Sequence, residues 1–269
     1  MKRKRFQEID WYETPGYYDI VFDTETTTQA AFLERVRTKY VRSRGKRVLE
    51  PACGSGRLVA ALASHGYEVC GFDMSRAMLA YARERLRHQG LEAILKRMDF
   101  ADFSFGRRRF DLAYCLVGSF QHMPTECAAR RHLSLVADAL RPGGVYVLGL
   151  HLSDYSDQGH MERWDVQRDN VHVICNIRTW PANRKRRTAL MRARLTVRDL
   201  GQFHQLQSTW VARTYGPRQF RALLSGEDRF ELLCCHSFEY DIGEVLSLEG
   251  DRLDIVAILR RRPDNGCES

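Results

Sequence analysis

No apolar stretch in the chain approaches the ~18 residues that a membrane-crossing helix needs, so membrane spanning is not expected. The first residues, Met1-Lys2-Arg3-Lys4-Arg5, are basic, but Glu8, Asp10 and Glu13 stand where a secretory signal would carry its apolar core, which argues against export. Among the eight cysteines (Cys53, Cys70, Cys115, Cys127, Cys175, Cys234, Cys235 and Cys267) there is no Cys-x-x-Cys pair, and most lie in apolar, strand-like runs. Reduced thiols in a cytoplasmic protein fit that distribution better than a disulfide or zinc scaffold, and no metal is expected. Lysine is scarce as well: six of the 42 basic residues are Lys, so arginine supplies most of the positive charge in a chain of net charge +8. A basic excess permits an acidic or nucleic-acid partner without requiring one. What is present is globular in character. The 269 residues are 44% hydrophobic and 28% charged, enough for one large domain or one domain with an elaboration.

From Lys46 onward the pattern is regular. Arg47–Glu50 reads as a strand, followed by a Gly-rich turn and a helix over 57–65 that Gly66 ends. Tyr67–Phe72 is the next strand, and Ser75 caps a helix with Met78, Ala82 and Leu86 on one face, ended by Gly90. Strands follow at 93–98 and 110–116. A helix beginning near Pro124 is stopped by Pro142-Gly143-Gly144, and a fifth strand spans 145–152. Strand and helix alternating five times predict an α/β fold: a doubly wound, mostly parallel seven-stranded sheet covered on both faces. After Leu152 the period falls to two, with runs at 171–177, 189–197 and 203–213, which predicts an antiparallel β insertion after the fifth strand. Pro217–Leu224 then reads as a helix, and 230–240 and 253–259 as two strands completing the main sheet. The expected organisation is an aromatic segment and helix at 1–44, a core at 45–152, the insertion at 153–215, the closing elements at 216–262 and a tail at 263–269. Before the core, Trp11–Phe22 is aromatic and broken by Pro15-Gly16, and Phe32, Val36 and Tyr40 mark one helix.

Chemistry concentrates in Val48-Leu49-Glu50-Pro51-Ala52-Cys53-Gly54-Ser55-Gly56-Arg57. Gly54 and Gly56 let backbone approach a ligand at a helix start. In a dinucleotide-binding turn a third glycine or alanine would occupy the position of Val59, and a carboxylate such as Glu50 would repel a pyrophosphate. Both features argue against a nicotinamide or flavin enzyme. The segment instead resembles motif I of the class I S-adenosylmethionine-dependent methyltransferases, and four further motifs follow in that family's order: Gly71-Phe72-Asp73-Met74, Met98-Asp99-Phe100, Phe110-Asp111 to Leu116, and Leu140-Arg141-Pro142-Gly143-Gly144. The resemblance implies S-adenosylmethionine as cofactor, with S-adenosylhomocysteine as product. It places Asp73 on the ribose hydroxyls, Met74 and Phe100 against adenine, Asp99 on the exocyclic amine, and Glu50, Ala52, Gly54, Gly56 and Cys115 along the remainder of the cofactor.

On the substrate side, beyond the carboxyl ends of the strands, stand Ser119, Gln121, His122 and His151, with the two histidines as candidate bases. Gly16-Tyr17-Tyr18-Asp19 is similar to a lid segment in small-molecule members of the family, which adds Tyr18 to the cofactor set. The expected function is methyl transfer to N or O of a small-molecule acceptor, by a monomer or homodimer, with the insertion as substrate cover or dimer interface. The alternatives are an RNA methyltransferase using the basic stretch 178–194 and a non-catalytic cofactor-binding protein. A nucleic-acid partner is not expected, because that stretch reads as a solvated hairpin tip without interleaved stacking aromatics beyond Trp180.

Overall fold

The computed structural model describes residues 6–107 and 109–263. The basic residues 1–5, Cys267 and the tail beyond Pro263 lie outside the described residues. In chain order, β1 (Gln7–Glu8) and α1 (Pro15–Phe22) precede α2 (Thr26–Tyr40). The core then runs β2 (Arg47–Pro51), α3 (Arg57–Ser64), β3 (Glu68–Asp73), α4 (Arg76–Gln89), β4 (Ile94–Arg97), β5 (Phe110–Cys115), α5 (Glu126–Ala139) and β6 (Leu140–His151). Four strands follow, β7 (His160–Arg168), β8 (Val171–Thr179), β9 (Thr188–Asp199) and β10 (Gln202–Arg213), then α6 (Pro217–Ser225), β11 (Phe230–Ser237) and β12 (Asp254–Arg261).

Seven strands form the main sheet in the order β11-β12-β6-β5-β2-β3-β4. From β4 to β6 neighbours are parallel, and β12 is antiparallel to both β6 and β11. Central β5 shows why the sheet is covered twice, since all six of its residues are buried. Leu112 and Tyr114 cluster with Phe32, Val36 and Leu58 on one face, while Ala113 and Cys115 cluster with Leu133, Val136 and Phe220 on the other. The strand order reverses between β2 and β5, which opens a crevice above their carboxyl ends. A second sheet, β1-β10-β9-β8-β7, stands over that end. Its inner face, including Val173, Cys175, Leu195 and Leu206, packs on Trp11, Ile20 and Val21. Among the described residues no helix is long and apolar enough to cross a membrane.

The structure departs from the sequence reading at five places. Pro15 does not break the aromatic segment. It occupies the first turn of α1, where its missing N–H costs nothing. The polar N-terminus contributes β1, which pairs in parallel with β10. The insertion has a fourth strand of its own, β7, because its inward positions Glu162 and Arg168 carry charge and hide the alternation. Helix α5 starts at Glu126, with Thr125 Oγ1 accepting from Ala128 N at 3.1 Å, and not at Pro124. Finally, Pro142-Gly143-Gly144 is no separate turn: β6 begins at Leu140 and absorbs it through a register shift against β5.

Candidate active site

The glycine turn between β2 and α3 forms the floor of a cleft of about 660 Å³. Ala52 and Gly54 line it in left-handed backbone, φ +55° and +51°. Gly56, φ +70°, faces elsewhere: a Cβ there would lie 2.7 Å from Ala82 Cβ, so its hydrogen atom lets α4 approach α3. Val59 explains the missing third glycine of a dinucleotide turn. Its methyl packs against Gly71 of β3, so the small residue sits on the strand. At the carboxyl end of β3, Asp73 accepts from Gly54 N at 2.9 Å and Ser75 N at 2.8 Å. Burial raises its pKa against those bonds. Met74 is 55% exposed, an unusual fraction for a large apolar side chain, and lies on the cleft wall with Asp99 and Phe100. Asp99 Oδ1 accepts from Ala101 N at 2.7 Å, and Phe100 stacks on His132 at 4.0 Å between centroids.

The inner end of the cleft narrows into a pocket holding Glu50, Arg57 and Cys115. Tyr114 Oη donates to Glu50 Oε2 at 2.8 Å. Burial nevertheless pushes Glu50 up to about 8, with Tyr114 and Arg57 opposing. Burial also pushes the Cys115 thiol to about 12, so it is a neutral wall. Arg57 is buried and donates to Gln29 Oε1 at 2.6 Å and Thr26 Oγ1 at 3.1 Å. A neutralised acid and a buried cation thus share one small space.

Helix α1 is fastened over the turn by Asp19, which is fully buried. Its carboxylate accepts from Ser55 Oγ at 2.7 Å and Arg168 Nη1 at 2.6 Å, and pairs with Arg85. One carboxylate therefore joins α1 to the glycine turn, to α4 and to β7. The same helix brings Tyr18 against Gly54 and into an aromatic cluster, with its ring centroid 5.0 Å from that of Trp11 and 4.7 Å from that of Phe22.

Beyond Tyr18 is a second chamber, about 160 Å³, between the core and the insertion sheet. Trp11, Phe22, Trp164, Trp210, Phe238 and Tyr240 line it, together with Glu25, Glu162, His122 and His151. His122 opens onto both cavities, its Nε2 3.2 Å from Tyr12 Oη and its ring stacked toward Trp210. Desolvation by these rings lowers its pKa and keeps it neutral near pH 7. His151 behaves oppositely. Burial disfavours its charge, but Asp254, 2.8 Å from Nδ1, and the charge of Glu162 raise its pKa overall. Gln121 is occupied structurally: its amide donates to His151 O and Arg213 O, joining the two sheets. Tyr18 and Ser119 line the cleft, the inner pocket and the chamber, so the three spaces meet at that pair.

The sequence-predicted residues Tyr18, Ala52, Gly54, Asp73, Met74, Asp99, Phe100 and His122 thus share one cleft, Glu50 and Cys115 lie at its inner end, His151 lines the chamber, and Gly56 lines none of these spaces. Sequence reasoning missed Arg57, Asp254, Glu162, Trp164 and Trp210 as site residues. For Glu162 and Trp164 the signal existed, since they alternate with Val166 and Arg168 at strand spacing.

Residues 48–144 match the family model described as a methyltransferase domain. The chain is 33% identical over 146 residues to a ubiquinone biosynthesis O-methyltransferase of Coxiella burnetii, a match covering 51% of this chain and 61% of that protein. It is 36% identical over 146 residues to a phosphatidylethanolamine N-methyltransferase of Cereibacter sphaeroides, covering 53% and 66%. The match therefore spans under two thirds of either relative. Among solved structures, an S-adenosylmethionine-dependent methyltransferase from Clostridium acetobutylicum superposes with a TM-score of 0.75 at 18% identity, covering 94% of this chain and 99% of that one. The sugar N-methyltransferase KedS8 from Streptoalloteichus superposes with a TM-score of 0.72 at 21% identity, covering 98% and 96%. At those identities the likeness is one of fold. Residues 48–144 thus carry a methyltransferase domain, and the fold around it is that of solved S-adenosylmethionine-dependent methyltransferases.

Proposed function

We propose that the protein transfers a methyl group from S-adenosylmethionine to nitrogen or oxygen of a small-molecule acceptor. The observation that carries this reading is the meeting of the cleft and the chamber at Tyr18 and Ser119. The donor set fits the cofactor. Asp73 offers carboxylate oxygens to ribose hydroxyls, Met74 and Phe100 offer apolar surface to adenine, and Asp99 accepts from the exocyclic amine. Ala52 and Gly54 let the backbone come close. Glu50 and Arg57 suit the ammonium and carboxylate of an amino-acid end, with Cys115 as apolar wall. Gly56 acts indirectly by holding α3 against α4. When bound, the cofactor supplies an electrophilic methyl group on a sulfonium. The chain's own residues align the acceptor, exclude water and hold a proton. Tyr18, Trp11 and Trp210 keep the junction apolar, and neutral His122 is the base placed between the two spaces.

In this reading the N-terminal segment and the insertion 153–215 form the substrate cover. The seven free thiols of the described residues suit a cytoplasmic, reducing setting. A nucleic-acid acceptor is not favoured: Arg178, Arg192 and Arg194 alternate with inward-facing Ile177, Ala193 and Leu195, so they lie on the outer side of the insertion sheet. The test is titration of S-adenosylhomocysteine into Asp73→Ala. The loss of two ribose hydrogen bonds to a charged acceptor predicts binding weaker by about a hundredfold. Unchanged affinity in a folded variant would overturn the assignment.

A further inference from the structure

The acceptor chamber has a composition unlike that of the molecule around it. The chain carries 42 Lys and Arg, yet among the described residues no lysine or arginine lines the chamber. None lines the vestibule of about 100 Å³ that continues from it past His151, Glu162 and Met191. The carboxyl and imidazole groups on these walls are Glu25, Glu162, Asp154, Asp157, His122, His151 and His160. Of the acids, Glu25 accepts from Gln29 Nε2 at 2.8 Å, Asp154 from Ser156, and Asp157 from Gly159 N. Among the described residues the side chain of Glu162 makes no hydrogen bond and no ion pair, although its charge reaches His151. It stands half-buried on β7 beside Trp164, at the junction of chamber and vestibule.

We propose that the acceptor is a small amine bearing about one ring of apolar body, its ammonium recognised by Glu162 among the aromatic walls; this rests on the methyltransferase reading above. Size and charge both support it. A chamber of about 160 Å³ is close to the ~150 Å³ cavity that accommodates a benzene ring. Tryptophan and tyrosine faces attract an ammonium, and a half-buried carboxylate without a partner gains most from a charged donor. A carboxylate or phosphate on the acceptor would meet acids, with His151, the histidine of raised pKa on these walls, already paired with Asp254, which costs free energy. His122, neutral on the same wall, can take the proton that an ammonium must lose before its nitrogen has a lone pair to offer.

The experiment uses the full chain saturated with S-adenosylhomocysteine and a set of one-ring amines, each with the alcohol and the carboxylate of the same skeleton. Affinities are read by calorimetry on wild type and Glu162→Gln. The expected result is that amines bind about tenfold or more tighter than their alcohols, that carboxylates do not bind, and that Glu162→Gln removes the preference for amines while S-adenosylhomocysteine affinity is kept. Equal binding of alcohols or carboxylates, no binding in any class, or undiminished amine affinity in Glu162→Gln would overturn it. Failure of S-adenosylhomocysteine to bind wild type, read in a separate titration, would overturn the methyltransferase reading on which the proposal rests.

Discussion

If Glu50 meets the cofactor's ammonium as proposed, binding should be a proton-releasing event. In the free protein burial holds its pKa near 8, so at pH 7 about 0.9 of the molecules carry a proton there. An ammonium placed against that carboxylate favours its charged form and lowers its pKa, so binding at pH 7 should release a proton, up to about 0.9 per site. By linkage, affinity for S-adenosylhomocysteine should rise with pH, by up to roughly ninefold from pH 6 to 7 and up to about fivefold from 7 to 8, and level off above pH 8. Calorimetry in two buffers of different ionisation enthalpy, such as phosphate and Tris, measures the release directly. Glu50→Gln should bind more weakly and release no proton from this group. Equal apparent enthalpies in both buffers at pH 7, or the same release from Glu50→Gln, would refute the reasoning.

Other consequences follow from single contacts. Asp19→Asn leaves Arg85 and Arg168 without the buried acid they share; the loss should be about 3 kcal/mol in urea denaturation, softened by Asp23, with weakened S-adenosylhomocysteine binding because the lid detaches. Gly56→Ala puts a methyl group against Ala82 in left-handed backbone and should cost about 2–4 kcal/mol, whereas Ala61→Gly, on the same helix, should cost only about 1 kcal/mol. The His151–Asp254 pair combines a raised histidine and a lowered carboxylate. Its stabilisation is therefore present at mildly acidic pH and is lost both as pH rises through the histidine's value and as it falls through the carboxylate's. Asp254→Asn should lower stability by at most about 1 kcal/mol at pH 6 and by less at pH 9, as read from denaturation midpoints at the two values.

The parallel core was legible because both of its signals are local: apolar runs such as Phe110–Cys115, and glycines at helix ends such as Gly66 and Gly90. Most cleft residues were legible for the same reason, since Ala52 and Gly54 follow β2, Asp73 and Met74 lie at the end of β3, and Asp99 and Phe100 follow β4. The chamber was legible only in part, at Ser119, Gln121, His122 and His151, because the rest of its wall is assembled from distant pieces. Asp254 reaches His151 across 103 residues, and Arg168 reaches Asp19 across 149. Strand β7 escaped because Glu162 and Arg168 point inward toward a cavity and a buried acid, reversing the usual polarity of a half-buried strand. Pro15 misled because proline opens a helix as readily as it breaks one. Gly56 shows a subtler limit: the motif located it correctly, while only the contact with Ala82 shows that it serves packing.

The most direct test of the central claim is thermal unfolding with S-adenosylhomocysteine, with NADH as control. At about 100 times its dissociation constant a ligand adds ~2.7 kcal/mol, which for a chain of 269 residues raises the midpoint by about 5 °C. The account predicts that rise with S-adenosylhomocysteine and none with NADH. No rise with S-adenosylhomocysteine, or an equal rise with NADH, would contradict it.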